Sequence, residues 1–73
     1  MEECNVYDIL CDSISSMRKQ KGMTQEQIAS QLGISPQAVS KWESKRSCPD
    51  IGLLPQIARM FDTTIDGLFG IQP

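Results

Sequence analysis

Apolar positions recur along this chain with the spacing of short helices. Val6, Leu10, Ile14 and Met17 fall at i, i+4, i+8 and i+11, which lines one face of a helix over about Val6 to Lys21. Asn5 stands where an N-cap belongs, and Gly22 takes the position that ends a helix. A second segment opens on Thr24-Gln25-Glu26-Gln27, a capping box with Thr at N-cap and Gln at N3. Met23 and Ile28 form the hydrophobic staple across it, Ile28, Ala29 and Leu32 make its apolar face, and Gly33 stops it. A third segment starts two residues later with Ser35 as cap and Pro36 at the first helical position. It runs to about Ser44, with Ile34 and Val39 repeating the staple. A fourth helix starts between Ile51 and Leu54, with Asp50 as candidate cap and Pro55 in its first turn, because mid-helix a proline would break the ladder. Leu53, Leu54, Ile57, Ala58 and Phe61 form its buried face. A short fifth helix starts at Thr64 with Ile65, Leu68 and Phe69 inward, and Asp62 takes a left-handed turn before it. No strand-like alternation persists, so the fold class is all-α.

The second and third segments carry the chemistry. Two short helices pack at a steep angle only where a crossing residue is small and the turn accepts positive φ. Ala29 and Gly33 supply these. Val39 and Trp42 anchor the third helix inward. That combination is a helix-turn-helix. On a wheel, Gln37, Ser40, Lys41 and Ser44 occupy the outward face. Gln offers a donor and an acceptor, Lys donates to guanine, and Ser serves either way, so the face suits base edges in a major groove. The alternative for these four residues is an ordinary solvated face. Trp42 could stack on a base, but its wheel position places it in the core.

Charge distribution changes what composition first implies. The 73 residues carry a net charge of -2, which argues against a nucleic-acid partner. Residues 17–47, however, hold Arg18, Lys19, Lys21, Lys41, Lys45 and Arg46 against Glu26 and Glu43, for +4. Residues 1–16 carry -4 and residues 48–73 carry -2. A locally basic patch is what DNA responds to. Lys19 and Lys21 at the end of the first helix equally suit its dipole. The chain has no histidine, which removes His-based acid–base catalysis, Ser-His-Asp triads and mixed Cys/His zinc sites. Cys4, Cys11 and Cys48 lack C-x-x-C spacing and read as reduced thiols, with Cys11 buried as a small hydrophobe. No cofactor, metal site or small-molecule ligand is expected, and no enzymatic activity. No apolar run approaches the roughly 20 residues that cross a bilayer, and the acidic Met1-Glu2-Glu3 lacks a signal peptide's basic start. The expectation is a cytoplasmic protein without a membrane partner.

The run Gln25-Glu26-x-Ile28-Ala29-x-x-Leu32-Gly33-Ile34-Ser35-x-x-x-Val39-Ser40-x-Trp42-Glu43 resembles the Cro/cI-type, or XRE-like, helix-turn-helix family. The likeness extends from Ile14 to Phe69 and includes Pro49, Ile57-Ala58 and Thr64-Ile65-Asp66-x-Leu68-Phe69. It implies a five-helix, phage-repressor-like domain over residues 14–70, with an N-terminal extension at 1–13 and a tail at 71–73. It also implies a sequence-specific regulator, in the mode of a repressor, that binds a palindromic double-stranded DNA operator as a homodimer in the nucleoid of a bacterium or phage. By position, Gln37, Ser40 and Lys41, with Ser44 beside them, match base-reading residues. Gln25 matches a residue that holds a phosphate at a helix N-terminus, and Lys45 and Arg46 match a phosphate-contacting loop. Lys21 is grouped with these phosphate contacts, and a solvated loop is the alternative for Lys45 and Arg46. Arg18 and Glu43 match an ion pair joining the first helix to the third. Pro36 departs from the family, where many members place a polar base-reading residue, and implies apolar contact with a thymine methyl. Lys45 stands where relatives often have Gly, so the loop is expected to bend differently. Ile65, Leu68, Phe69 and Ile71 are either core or a dimer seam, with Val6 and Leu10 in the same position. Two other readings compete. One is a protein-interaction module on the same fold, as in antitoxin or anti-repressor-like adaptors. The other is a thiol-based redox or metal sensor.

Overall fold

A computed structural model describes residues 6–71. Five α-helices and no strand occur among the described residues. They are α1 (Val6–Gln20), α2 (Gln25–Leu32), α3 (Pro36–Glu43), α4 (Leu54–Met60) and α5 (Ile65–Leu68). A 3-10 turn, Ile51–Leu53, leads into α4 and leaves Pro55 in that helix's first turn. Asn5 and Cys4 lie outside the described residues.

Local chemistry sets these boundaries. Thr24 Oγ1 accepts from the Gln27 amide at 3.1 Å, and the Thr24 amide donates to Gln27 Oε1 at 2.8 Å, closing the capping box. Gly33 adopts φ 72°. The following amide, Ile34, donates to Ala29 O at 3.0 Å, so the chain reverses direction while the end of α2 stays hydrogen-bonded. Ser35 Oγ accepts from the Ala38 amide at 3.3 Å and starts α3. Thr64 Oγ1 accepts from the Gly67 amide at 2.9 Å and starts α5. Asp62 takes the left-handed conformation, at φ 56°. Asp50 makes no capping hydrogen bond, because the chain enters the 3-10 turn instead of opening directly into α4.

The core is one cluster shared by all five helices. Ile14, Ile28, Val39, Ile57 and Leu68 are fully buried, with Leu10, Ala29, Trp42 and Phe61 nearly so. Each large apolar side chain removed from water contributes about 1.5–3 kcal/mol. Ala29 sits in the α2–α3 contact, where a larger residue would hold the helices apart. Val6 is exposed, against its place in the periodic pattern: it lies in the first turn of α1, at the edge of the core cluster. Cys11 is buried, with its thiol 3.9 Å from Ser47 O. Burial, together with nearby Cys48, Asp8 and Asp12, pushes its pKa up, so it stays a protonated, unreactive thiol.

One polar node crosses this core. Arg18 Nε donates to Glu43 Oε2 at 2.7 Å and its Nη2 donates to Glu43 Oε1 at 3.1 Å, a bidentate pair between α1 and α3. Arg18 Nη1 also donates to Met23 O at 2.8 Å, and Gln25 Nε2 donates to Glu43 Oε1 at 3.0 Å. The two side chains of the pair are only 15% and 11% exposed. Burial pushes the Glu43 carboxyl up, but the hydrogen bonds from Arg18 and Gln25 and the Arg18 charge outweigh it, and its pKa lies below the usual value.

Replacing Glu43 by Gln leaves the Arg18 cation in a mostly desolvated place without its counter-charge. The variant is expected to lose about 3 kcal/mol of stability at pH 7, the low end for breaking a buried pair. A depressed carboxyl pKa stabilises the fold above the unfolded-state value, about 4.3, and that stabilisation disappears as pH falls through the lower native value. Urea melts of wild type and Glu43→Gln should therefore converge as pH drops from 5 toward 3.

Candidate nucleic-acid interface

The helix-turn-helix presents one continuous polar surface. Val39 and Trp42 turn inward from α3 and are buried. Pro36, Gln37, Ser40, Lys41 and Ser44 are all exposed on the same helix and its C-cap. Anchoring by two buried side chains holds the helix axis, so the exposed side chains project from a rigid frame. Ser44 Oγ donates to Lys41 O at 3.2 Å, which secures the C-terminal end of the helix.

Gln25 is half-buried at the first position of α2. Its amide group is drawn toward Glu43, so the anion-facing feature here is the α2 N-terminus itself, where the first N–H groups have no intrahelical partner. Lys45 takes φ 66°, the conformation that glycine adopts without strain. The loop thus makes a glycine-like bend with a lysine in it. Lys45 Nζ reaches Asp12 Oδ1 at 3.1 Å, and that hydrogen bond and charge raise the lysine pKa. The Arg46 amide donates to Lys41 O at 2.8 Å, while its side chain is exposed and forms no ion pair among the described residues. Lys21 Nζ lies 2.9 Å from Asp62 Oδ2, which ties the end of α1 to the turn before α5.

The structure therefore brings the base-reading candidates together on α3 and separates the cations by state. Lys41 and Arg46 face solvent; Lys21 and Lys45 are engaged by carboxylates. Asp12 and Asp62 escaped the sequence reading, because their partners lie 33 and 41 positions away, and no local periodicity reports such contacts. The C-terminal apolar group also divides. Leu68 is fully buried in the protomer's own core and offers nothing to a second copy. Phe69 is half-buried, and Ile65 and Ile71 are 40% and 55% exposed.

Comparison with known proteins agrees with this geometry. The helix-turn-helix family profile matches residues 14–68. The HTH-type transcriptional activator BcrR of Enterococcus faecalis is 42% identical over 57 residues, which cover 78% of this chain and 28% of that protein. A transcriptional regulator from Listeria innocua superposes with a TM-score of 0.80 at 30% identity, over 88% of this chain and 60% of that one. The hydroxypropylphosphonic acid epoxidase from S. wedmorenis contains a similar fold, with a TM-score of 0.74 at 27% identity over 84% of this chain, which spans 32% of that protein. The chain spans well under a third of the Enterococcus relative and of the epoxidase. No described helix is long and apolar enough to cross a membrane. Both the match and the arrangement of α2 and α3 lead to the same statement: the chain belongs to the Cro/cI-type, or XRE-like, helix-turn-helix family.

Proposed function

We propose that this chain is the DNA-binding part of a transcriptional regulator that lays α3 in the major groove of a palindromic operator. The observation that carries the reading is the division of α3 into a buried anchor, Val39 and Trp42, and an exposed hydrogen-bonding face, Gln37, Ser40 and Lys41. Gln37 and Lys41 read base edges, with Ser40 and Ser44 beside them and Pro36 against a thymine methyl. The α2 N-terminus at Gln25 and the side chain of Arg46 hold phosphates on either side. Lys45 and Lys21 reach phosphate only by leaving Asp12 and Asp62, so their share of affinity is smaller. The protein binds DNA and does no chemistry on it. Repression needs only occupancy of the operator, and it is the mode we assign. The relative named an activator extends far beyond the part that this chain matches.

The protein acts as a homodimer, since two recognition helices must sit about 34 Å apart to enter successive major grooves on one face of DNA. Exposed Ile65 and Ile71, with Phe69 between them, form the seam. Leu68 lies beneath it and supports it from inside. Sedimentation at micromolar concentration is expected to show a dimer that Ile65→Asp converts to a monomer with an unchanged helical spectrum. A dimer that persists in this variant would move the seam elsewhere.

Two substitutions separate the kinds of DNA contact. Arg46→Ala should weaken binding to operator and scrambled duplexes alike and lower the log–log salt slope by about one unit. Gln37→Ala should cost about 1–3 kcal/mol on the operator selected from a random pool and little on scrambled DNA. Titrations of both variants across a salt series check this. Equal losses for Gln37→Ala on both duplexes would remove it from the base-reading set. Wild-type binding to neither duplex would favour a protein-interaction module.

A further inference from the structure

Away from α3, an open groove of about 510 Å³ runs between the first turn of α1, the segment leading into α4 and the end of α5. Val6, Tyr7, Ile51, Leu54 and Phe69 line it, and Asp50 is its one charged residue. Ile51 is 84% exposed, Tyr7 55% and Val6 54%, which leaves contiguous apolar surface in water at a cost that a monomer has no reason to bear. None of Gln37, Ser40, Lys41 or Arg46 borders the groove, so the surface is separate from the proposed DNA face.

We propose that this groove is a docking site for a basic amphipathic helix on a partner protein. Charge selects the occupant. The groove is built only from residues 6–10, 48–54 and 69, which belong to the two acidic segments of the chain, carrying -4 and -2. No lysine or arginine lines it, and Lys45, the cation nearest in sequence to its loop wall apart from Arg46, is held by Asp12. A second copy of the chain would meet the same surface about a two-fold axis, setting acid against acid with no cation of the patch to offset it. A small molecule would stay largely in water, because the walls are themselves half exposed, whereas ligand pockets enclose most of their ligand. A helix with leucines at i, i+3, i+4 and i+7 and lysines on its flanks satisfies both features: the apolar edge covers Ile51, Tyr7 and Phe69, and the flanks face Asp50 and Asp8. DNA and this partner then occupy opposite electrostatic faces of one domain.

The test uses the full chain and two labelled 18-residue peptides sharing that leucine pattern, one with lysines and one with glutamates at the other positions. Fluorescence anisotropy at physiological salt should show binding of the lysine peptide and none of the glutamate peptide. Ile51→Ser and Asp50→Lys should each weaken the lysine peptide about tenfold or more while leaving the melting transition and DNA affinity unchanged. Chemical shifts in the complex should move at Val6, Tyr7, Leu54 and Phe69. The proposal is overturned by absence of lysine-peptide binding, by equal binding of both peptides, or by equal affinity of wild type and both variants. A dimer that sediments as monomer after Ile51→Ser would also overturn it, by assigning the groove to a second copy. None of these readouts depends on whether the domain binds DNA, so failure here and failure of the DNA-binding reading are distinguishable.

Discussion

The Glu43 carboxylate is the point on which the rest of the arrangement depends. It stands at the last residue of α3 and accepts from Arg18 on α1 and Gln25 on α2. Hydrophobic contact alone would let α3 slide or roll, because burial is non-directional. Three charge-assisted hydrogen bonds to one carboxylate, shielded from most solvent, do not permit that freedom. They fix the roll of α3 about its axis and hence which side chains face out. The same bonds place the N-terminus of α2 beside the C-terminal end of α3, so one ion pair sets both the base-reading and the phosphate-binding features. Arg18 also binds Met23 O, which draws the turn between α1 and α2 into the same node.

Much of this was legible because the deciding signals are local. Thr24 with Gln27, Ser35 with Pro36, and Gly33 are short-range chemistry, and each marks a helix end in the place it occupies. Trp42 and Val39 were assigned inward from periodicity alone, and they are buried. What failed was non-local. Asp50 looked like a cap, but the 3-10 turn redirects the chain before a side chain can cap anything. Val6 kept the period of α1 yet lies at the margin of the core. The carboxylate partners of Lys21 and Lys45 come from distant segments. Leu68 could be core or seam by spacing, and only packing decides that it is core.

Electrostatics resolves the apparent conflict between a net charge of -2 and a DNA-binding fold. The acidic residues are not spread evenly; they sit in the segments that flank the helix-turn-helix. Two of them, Asp12 and Asp62, each hold a lysine through exposed ion pairs worth little apiece. Such pairs yield readily to a phosphate, so they restrain the lysines in the absence of DNA without removing them from the field that DNA meets. Specific contact then rests on Gln37 and Lys41, and unspecific attraction on Arg46.

The central claim is that the face formed by α3, the N-terminus of α2 and the Arg46 loop is where DNA lies. Backbone amide chemical-shift mapping with a selected duplex tests it most directly. The account predicts the largest shifts at Gln25, Glu26, Gln37, Ser40, Lys41 and Arg46, with Val6, Ile51 and Phe69 unmoved. Shifts centred on the groove around Ile51, or a spectrum unchanged by saturating duplex, would contradict it.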